Sequence, residues 1–375
     1  MTLPDDTLKK WVYKEHTKVK HEILSKYITG WIKILGTFHK LYIFDCFAGR
    51  GKYKDGSDGS PLKIIKILIN LRKSQNKPKE AECFFIENNP KNIQNLEAEI
   101  KNINEEVDSW LKIHVKLGKF SNIIIEIIEK YNSNITPAFF FLDPFGFGGI
   151  PLSIIKKLLS FGKTEVFITF MIRDVIRFLE SQPHQDSIKQ LIGVHNVMEI
   201  LQEEPYSKLP KEQAILKLYR NQLHKDVEVK YTIPFKINAD EKLQTTYYLI
   251  HCTNHPKGCA LMKSIMYKSG TESRFAYLGP AEGQLTLDKF VTIETLKDFL
   301  LKNFKDQTLS FQKLIYETLM DTFFIEKHYR RAVRELEQEE KISMKNRGVR
   351  GGINDDTLII FKKRIKNLFD YIEND

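Results

Sequence analysis

The sequence predicts an α/β chain in two parts, a doubly wound parallel sheet followed by a smaller C-terminal module of helices and a hairpin. Three observations carry this. Short apolar runs alternate with helix-period segments between residues 41 and 170. The first run stops at a glycine-rich turn, Asp45-Cys46-Phe47-Ala48-Gly49-Arg50-Gly51, as a strand feeding a ligand crevice does. Beyond about residue 285 the composition changes to charged helices and a basic, glycine-rich hairpin.

In chain order, residues 17–34 place Val19, Ile23, Leu24, Tyr27, Ile28, Trp31 and Ile32 at spacings of three and four, so an amphipathic helix leads. Lys18, Lys20 and His21 on it read chiefly as a solvated face, with a carboxylate or phosphate contact as the alternative. Residues 41–44 form the first strand, an unbroken apolar run suited to burial on both faces of a parallel sheet. Ser60-Pro61 opens the next helix, with proline at its first position. Strand 82–86, helix 90–103, strand 113–117, helix 122–131, strand 138–142, helix 151–159 and strand 165–170 continue the alternation, which implies right-handed crossovers.

Residues 173–225 read as helices with polar connections, taken as an insertion or lid over the carboxyl edge of the sheet. Strands at 227–237 and 246–253 suit the antiparallel edge that closes methyltransferase-type sheets, and residues 270–283 read as a linker. Helices at 292–301, 310–320 and 325–340, then a hairpin over 342–361, resemble a winged helix. The expected fold is therefore a doubly wound, Rossmann-like, methyltransferase-type sheet over residues 1–275, with a winged-helix-like domain over 285–375.

Fifty-eight Lys and Arg against 48 Asp and Glu leave a formal charge of +10, which favours a polyanionic partner such as nucleic acid. The four cysteines are too few and dispersed for a disulfide framework, and no apolar run reaches roughly 18 residues. With no leader-like start, the expectation is a soluble cytoplasmic protein without membrane contact.

The chemistry-bearing residues cluster at strand ends. Asp45 can accept a hydrogen bond from a ligand amine, Gly49 and Gly51 let the backbone approach a ligand closely, and Phe47 and Ala48 in the same turn are further cofactor-binding candidates. The pattern lacks the full dinucleotide fingerprint, which disfavours nicotinamide cofactors. Glu87, ending the second strand, can take both ribose hydroxyls of an adenosine moiety, and Phe120 can lie against an adenine ring. Asp143-Pro144-Phe145-Gly146 ends the fourth strand, where nucleic-acid amino methyltransferases carry an acid or amide, prolines and a stacking ring; here there is one proline, with aromatics two and four residues after the acid. His251, Cys252, His255 and Cys259 match no paired-ligand zinc spacing, so no metal is expected. Lys327, Arg330, Arg331 and Arg334 on the last helix, with Lys345, Arg347 and Arg350 toward the hairpin tip, are the nucleic-acid-binding candidates.

Taken together, His16-Thr17-Lys18-Val19-Lys20-His21-Glu22, Phe47-Ala48-Gly49-Arg50-Gly51-Lys52-Tyr53, Gly59-Ser60-Pro61, Phe85-Ile86-Glu87 and Leu142-Asp143-Pro144-Phe145-Gly146 closely resemble the three-Cys-motif partner protein family, over about residues 10–180. The resemblance implies a bacterial or archaeal protein with a methyltransferase-like fold, acting beside a second protein that carries three cysteines. Arg50 departs from the pattern, standing where proline is expected between the two glycines.

The leading expectation is an S-adenosylmethionine-dependent methyltransferase-like protein acting on DNA or RNA with that partner. Asp45, Gly49, Gly51 and Glu87 would hold the cofactor, and Asp143, Pro144 and Phe145 the target. Two alternatives stand beside it: a non-catalytic nucleic-acid or protein-binding adaptor, and a nuclease using Asp45, Glu87 and Asp143 around magnesium.

Overall fold

The structure, a computed structural model, describes residues 12–74, 78–103, 109–131, 134–239, 242–271, 276–277 and 292–362. The chain divides into two compact units, residues 1–281 and 282–375.

In the first unit α1 (Glu15–Leu35) leads into β1 (Leu41–Asp45), α2 (Ser60–Arg72), β2 (Ala81–Glu87), α3 (Pro90–Lys101), β3 (Leu111–Leu117), α4 (Phe120–Lys130), β4 (Ala138–Leu142), α5 (Leu152–Leu159) and β5 (Thr164–Phe170). There follow α6 (Ile172–Phe178), α7 (Gln185–Ile192), α8 (Val197–Gln202), α9 (Lys211–Lys225), β6 (Tyr231–Ala239), β7 (Lys242–Thr253), α10 (Pro256–Ser269) and β8 (Ala276–Tyr277). The sheet runs β3-β2-β1-β4-β5-β7-β6-β8. Strands β1 to β5 are parallel, while β7 lies antiparallel between β5 and β6. The strand order reverses between β1 and β4, and in an open α/β sheet that switch point is where the carboxyl edge opens a crevice. This is the doubly wound, methyltransferase-type sheet the sequence predicts.

Every residue of β1, β2, β4 and β5 is buried, because helices cover both faces; the edge strand β3 is not. Across the sheet Phe140, Phe44, Phe84 and His114 stack in a row with ring centroids 4.3, 4.7 and 4.6 Å apart. Glu82 is buried among these strands, and its carboxylate accepts hydrogen bonds from Lys40 at 2.7 Å and Tyr131 at 2.8 Å.

Two sequence expectations change. Residues 173–225 are a face layer and not a lid: Val175, Leu179, Ile188, Leu191, Ile215 and Leu218 join the core that α4 and α5 make with the sheet, and Tyr219 stacks on Phe170 at 4.4 Å. Residues 251–259 contain the start of α10, whose N-cap His255 accepts a hydrogen bond from the Lys257 N–H at 3.2 Å. Within the stretch read as a linker, β8 extends the sheet by two residues beside β6, too short to leave a periodic signal; residues 278–283 lie outside the described residues.

In the second unit α11 (Ile293–Asn303), β9 (Thr308–Ser310), α12 (Phe311–Glu317), α13 (Glu326–Gln338), β10 (Ile342–Lys345) and β11 (Leu358–Phe361) give the helix–strand–helix–helix–hairpin order of a winged helix-turn-helix. The antiparallel sheet runs β10-β11-β9. β9 escapes sequence reading because its last residue, Ser310, doubles as the N-cap of α12, accepting from the Lys313 N–H at 3.2 Å.

Candidate functional site

The turn after β1 is fastened to β2. The Ala48 N–H donates to the Ile86 carbonyl at 2.9 Å, and the Gly49 N–H to Glu87 Oε2 at 2.9 Å. The other Glu87 oxygen accepts the Asn89 N–H, also at 2.9 Å. Gly49 and Gly51 take φ of 66° and 87°, the left-handed region that favours glycine. Gly51 turns toward α3, where a Cβ would come within 3.0 Å of Leu96, and its carbonyl accepts the Gly59 N–H at 2.7 Å. These glycines thus shape the turn.

A cavity of about 330 Å³ opens beside it, lined by Cys46, Phe47, Glu87, Asn88, Gly118, Lys119, Phe120, Ser121, Pro144, Phe145, Gly148 and Gly149. It joins the carboxyl ends of β1, β2, β3 and β4. Of the residues predicted from sequence, Phe47, Glu87, Phe120, Pro144 and Phe145 line it; Asp45, Ala48, Gly49, Gly51 and Asp143 do not. The Phe47 and Phe120 rings lie 5.6 Å apart and tilted. Phe145 is 68% exposed at the rim, whereas Phe147 turns inward against Phe178 and His184, so of the two aromatics after Asp143 only Phe145 faces outward.

Asp45 and Asp143 meet a different set of groups, supplied by α1 and α2. Lys20 Nζ lies 2.5 Å from Asp143 Oδ2, with the two side chains 10% and 21% exposed. Asp45 is fully buried; its Oδ1 accepts the Phe47 N–H at 3.4 Å, and its Oδ2 has no hydrogen-bond partner. Burial above all pushes the Asp45 carboxyl up to about 7, with the Ser60 hydroxyl opposing and the Asp143 charge adding to the rise. His21 is buried with Nδ1 unpartnered, and burial first, then Lys20 and Lys63, hold it well below the ordinary imidazole range, so it is neutral. Lys20 and His21 therefore belong to the inner face of α1, correcting their reading as a solvated face. Lys18, exposed and paired with Glu15, keeps that reading.

The magnesium arrangement has no geometric basis. Among the described residues no three His, Cys, Asp or Glu side chains are placed to hold a metal ion. His251 is instead buried against Glu165 at 2.9 Å, in a cluster with Tyr27, and Cys252 and Cys259 are buried thiols.

In the winged unit the seven predicted basic residues separate. Arg330 is a packing residue: it pairs with Glu326, donates to the Ile353 carbonyl at 2.5 Å and lies 4.9 Å over the Phe311 ring. Arg347 pairs with Glu337 and donates to the Gly351 carbonyl at 3.2 Å. Lys327, Arg331 and Arg334 fall at helical spacing along the exposed side of α13, opposite the buried Tyr329, Ala332, Val333 and Leu336; Arg331 also meets Glu335 at 2.7 Å. Lys345 and Arg350 are exposed on the hairpin, beside Val349 at 92% exposure.

Residues 280–347 match the model of the GMT-like wHTH domain. No curated protein matches the sequence. Among solved structures, a protein assigned as an O-methyltransferase from Klebsiella pneumoniae is 9% identical with a TM-score of 0.34, covering 68% of this chain and 93% of its own. One assigned as a caffeoyl-CoA O-methyltransferase from Staphylococcus aureus is 11% identical with a TM-score of 0.32, covering 67% and 93%. The DszA carbon methyltransferase is 10% identical with a TM-score of 0.36, covering 64% and 56%. The strand order and the matched domain make this chain a methyltransferase-type α/β fold with a C-terminal winged helix-turn-helix domain.

Proposed function

We propose that this chain binds S-adenosylmethionine at the carboxyl edge of its sheet and transfers the methyl group to nucleic acid, alongside a protein partner bearing a three-cysteine motif. The observation that carries the reading is the cavity at the switch point, with a buried carboxylate, Glu87, and two phenyl rings on its walls. Its volume of about 330 Å³ falls in the range of small-molecule sites. Each Glu87 oxygen accepts one backbone N–H and keeps a second acceptor direction, so the pair can receive a ribose diol without releasing the turn. Phe120 and Phe47 offer an aromatic wall for the purine. Bound there, S-adenosylmethionine supplies a methyl group on a sulfonium that leaves readily. Asp143, in the residue before Pro144, is the acceptor for a target amino group, and the exposed Phe145 ring is the platform for an unstacked base.

The net charge of +10 and the Lys327, Arg331 and Arg334 stripe support a nucleic-acid substrate held by the winged unit. The three-cysteine partner rests on the family resemblance of residues 10–180. A cytoplasmic setting fits four buried free cysteines, and among the described residues no helix is long and apolar enough to cross a membrane. The test is transfer of labelled methyl to DNA and RNA pools, with and without the partner: Asp143→Ala abolishes transfer without weakening cofactor binding.

A second reading has its own observation. The Asp143 carboxylate is already bound by Lys20, as suits an adaptor that keeps the fold and the ligand without the reaction. Nucleic-acid binding by the pure protein, with no transfer to any pool even when the partner is present, selects it.

A further inference from the structure

The cluster around Asp143 contains more than a catalytic carboxylate requires. Lys20 reaches it from the middle of α1 and is 8% exposed, an unusual place for a lysine; its ammonium donates to Asp143 and lies 5.5 Å from the centroid of the Tyr247 ring. Beside this pair, Asp45 Oδ2 and His21 Nδ1 are fully enclosed polar atoms without partners. Ser60, whose hydroxyl acts on the Asp45 carboxylate, is the first residue of α2, and the N-cap Gly59 has no side chain with which to satisfy that helix end. A cation, a helix N-terminus without a side-chain cap and a hydroxyl suit an anionic group, and an orphaned carboxylate oxygen suits an ammonium. An α-amino acid offers both charges on adjacent atoms.

We propose that Lys20 is a latch with two alternative anionic partners: Asp143, which it holds in this structure, and the carboxylate of an amino-acid-bearing nucleoside, whose arrival beside Ser60 draws Lys20 away and frees Asp143 for a target amino group. The proposal rests on the reading of the neighbouring cavity as an adenosine site. Asp45 and Asp143 immediately precede the cavity-lining Cys46 and Pro144, so the two sites adjoin along the same sheet edge. Burial pushes the Asp45 carboxyl up to about 7, and Lys20 pairs with Asp143 in this structure. A ligand carboxylate competes for that cation, and the ligand ammonium meets the orphaned Asp45 oxygen. Occupation of the amino-acid end is thereby coupled to the availability of the target-amine acceptor.

The probes are S-adenosylhomocysteine and 5′-methylthioadenosine, which share the nucleoside and differ in the amino-acid end. Both are titrated calorimetrically into the full chain as wild type, Lys20→Met and Lys20→Arg, and the Asp143 side-chain carboxyl carbon is followed by NMR, assigned with Asp143→Asn. In wild type, S-adenosylhomocysteine binds at least about tenfold tighter than 5′-methylthioadenosine, as expected for a charge-assisted contact. Lys20→Met narrows the gap between the two probes by weakening only S-adenosylhomocysteine, and Lys20→Arg restores most of the difference. The Asp143 signal moves with S-adenosylhomocysteine and stays put with 5′-methylthioadenosine, whose binding also shows that each variant is folded. Equal binding of both probes by wild type, equal weakening of both by Lys20→Met, or an unmoved Asp143 signal overturns the latch and leaves the adenosine site standing. Failure of wild type to bind either probe overturns both.

Discussion

Replacing Asp45 by Asn makes the first unit more stable, by an amount that depends on pH. The Asp45 carboxyl is fully buried, and its pKa stands at about 7 against an unfolded value of about 3.9. Because the folded value is the higher one, the favourable contribution of the neutral acid is complete below about pH 4 and is lost as pH rises through about 7. Integrating over that window gives a cost of ionisation of about 1.5 kcal/mol at pH 5 and about 4 kcal/mol at pH 8. Asn is neutral throughout and keeps the Oδ1 acceptor for the Phe47 N–H. The variant therefore gains about 2.5 kcal/mol on wild type between pH 5 and pH 8, with other titrating groups cancelling in the difference. Urea unfolding followed by tryptophan fluorescence suits the measurement, since Trp31 and Trp110 lie in the first unit and the sequence has no tryptophan after position 110. A wild-type-minus-variant difference that stays flat from pH 5 to pH 8 refutes the assignment of Asp45 as a buried, proton-holding carboxyl.

Three further outcomes follow from the geometry. Gly59→Ala places a Cβ 2.8 Å from the Gly51 carbonyl oxygen and costs about 1–3 kcal/mol of stability in the same urea assay. In the winged unit Arg330→Ala lowers the melting temperature, because a ring contact and a carbonyl hydrogen bond are lost, whereas Arg334→Ala leaves it unchanged and reduces the salt slope of DNA or RNA binding by about one. Phe145→Ala, at a residue 68% exposed, leaves stability within about 0.5 kcal/mol while removing labelled-methyl transfer; unaltered transfer speaks against Phe145 as a base platform.

The strand succession was legible because each central strand is buried on both faces, which forces unbroken apolar runs such as Phe139-Phe140-Phe141-Leu142 between turn residues. Glu87 and Phe120 were legible as cavity residues because strand ends of a parallel sheet converge on one edge. The glycines of the turn were found, but their work is local: Gly49 serves the Glu87 hydrogen bond and Gly51 the approach of α3. The role of Lys20 was hidden by its charge, although its position carried a signal. Lys20, Leu24, Tyr27 and Trp31 share one helical stripe, so a lysine stood where the inner face runs. The winged unit shows the opposite difficulty. Arg330 and Arg334 look alike in sequence, and only Phe311, Ile353 and Glu326 around the first distinguish a packing arginine from an outward one. Likewise, residues 173–225 read only as helices with polar connections, and such a reading cannot say whether an apolar stripe covers a sheet face or closes over its edge.

The central claim is that Glu87 and its aromatic neighbours form an adenosine site, and calorimetric titration of S-adenosylhomocysteine into wild type and Glu87→Gln tests it most directly. Micromolar binding by wild type, weakened about tenfold to a hundredfold in Glu87→Gln by loss of a charged acceptor for the ribose hydroxyls, is the result the account predicts. No binding by wild type, or equal affinity in a correctly folded Glu87→Gln, contradicts it.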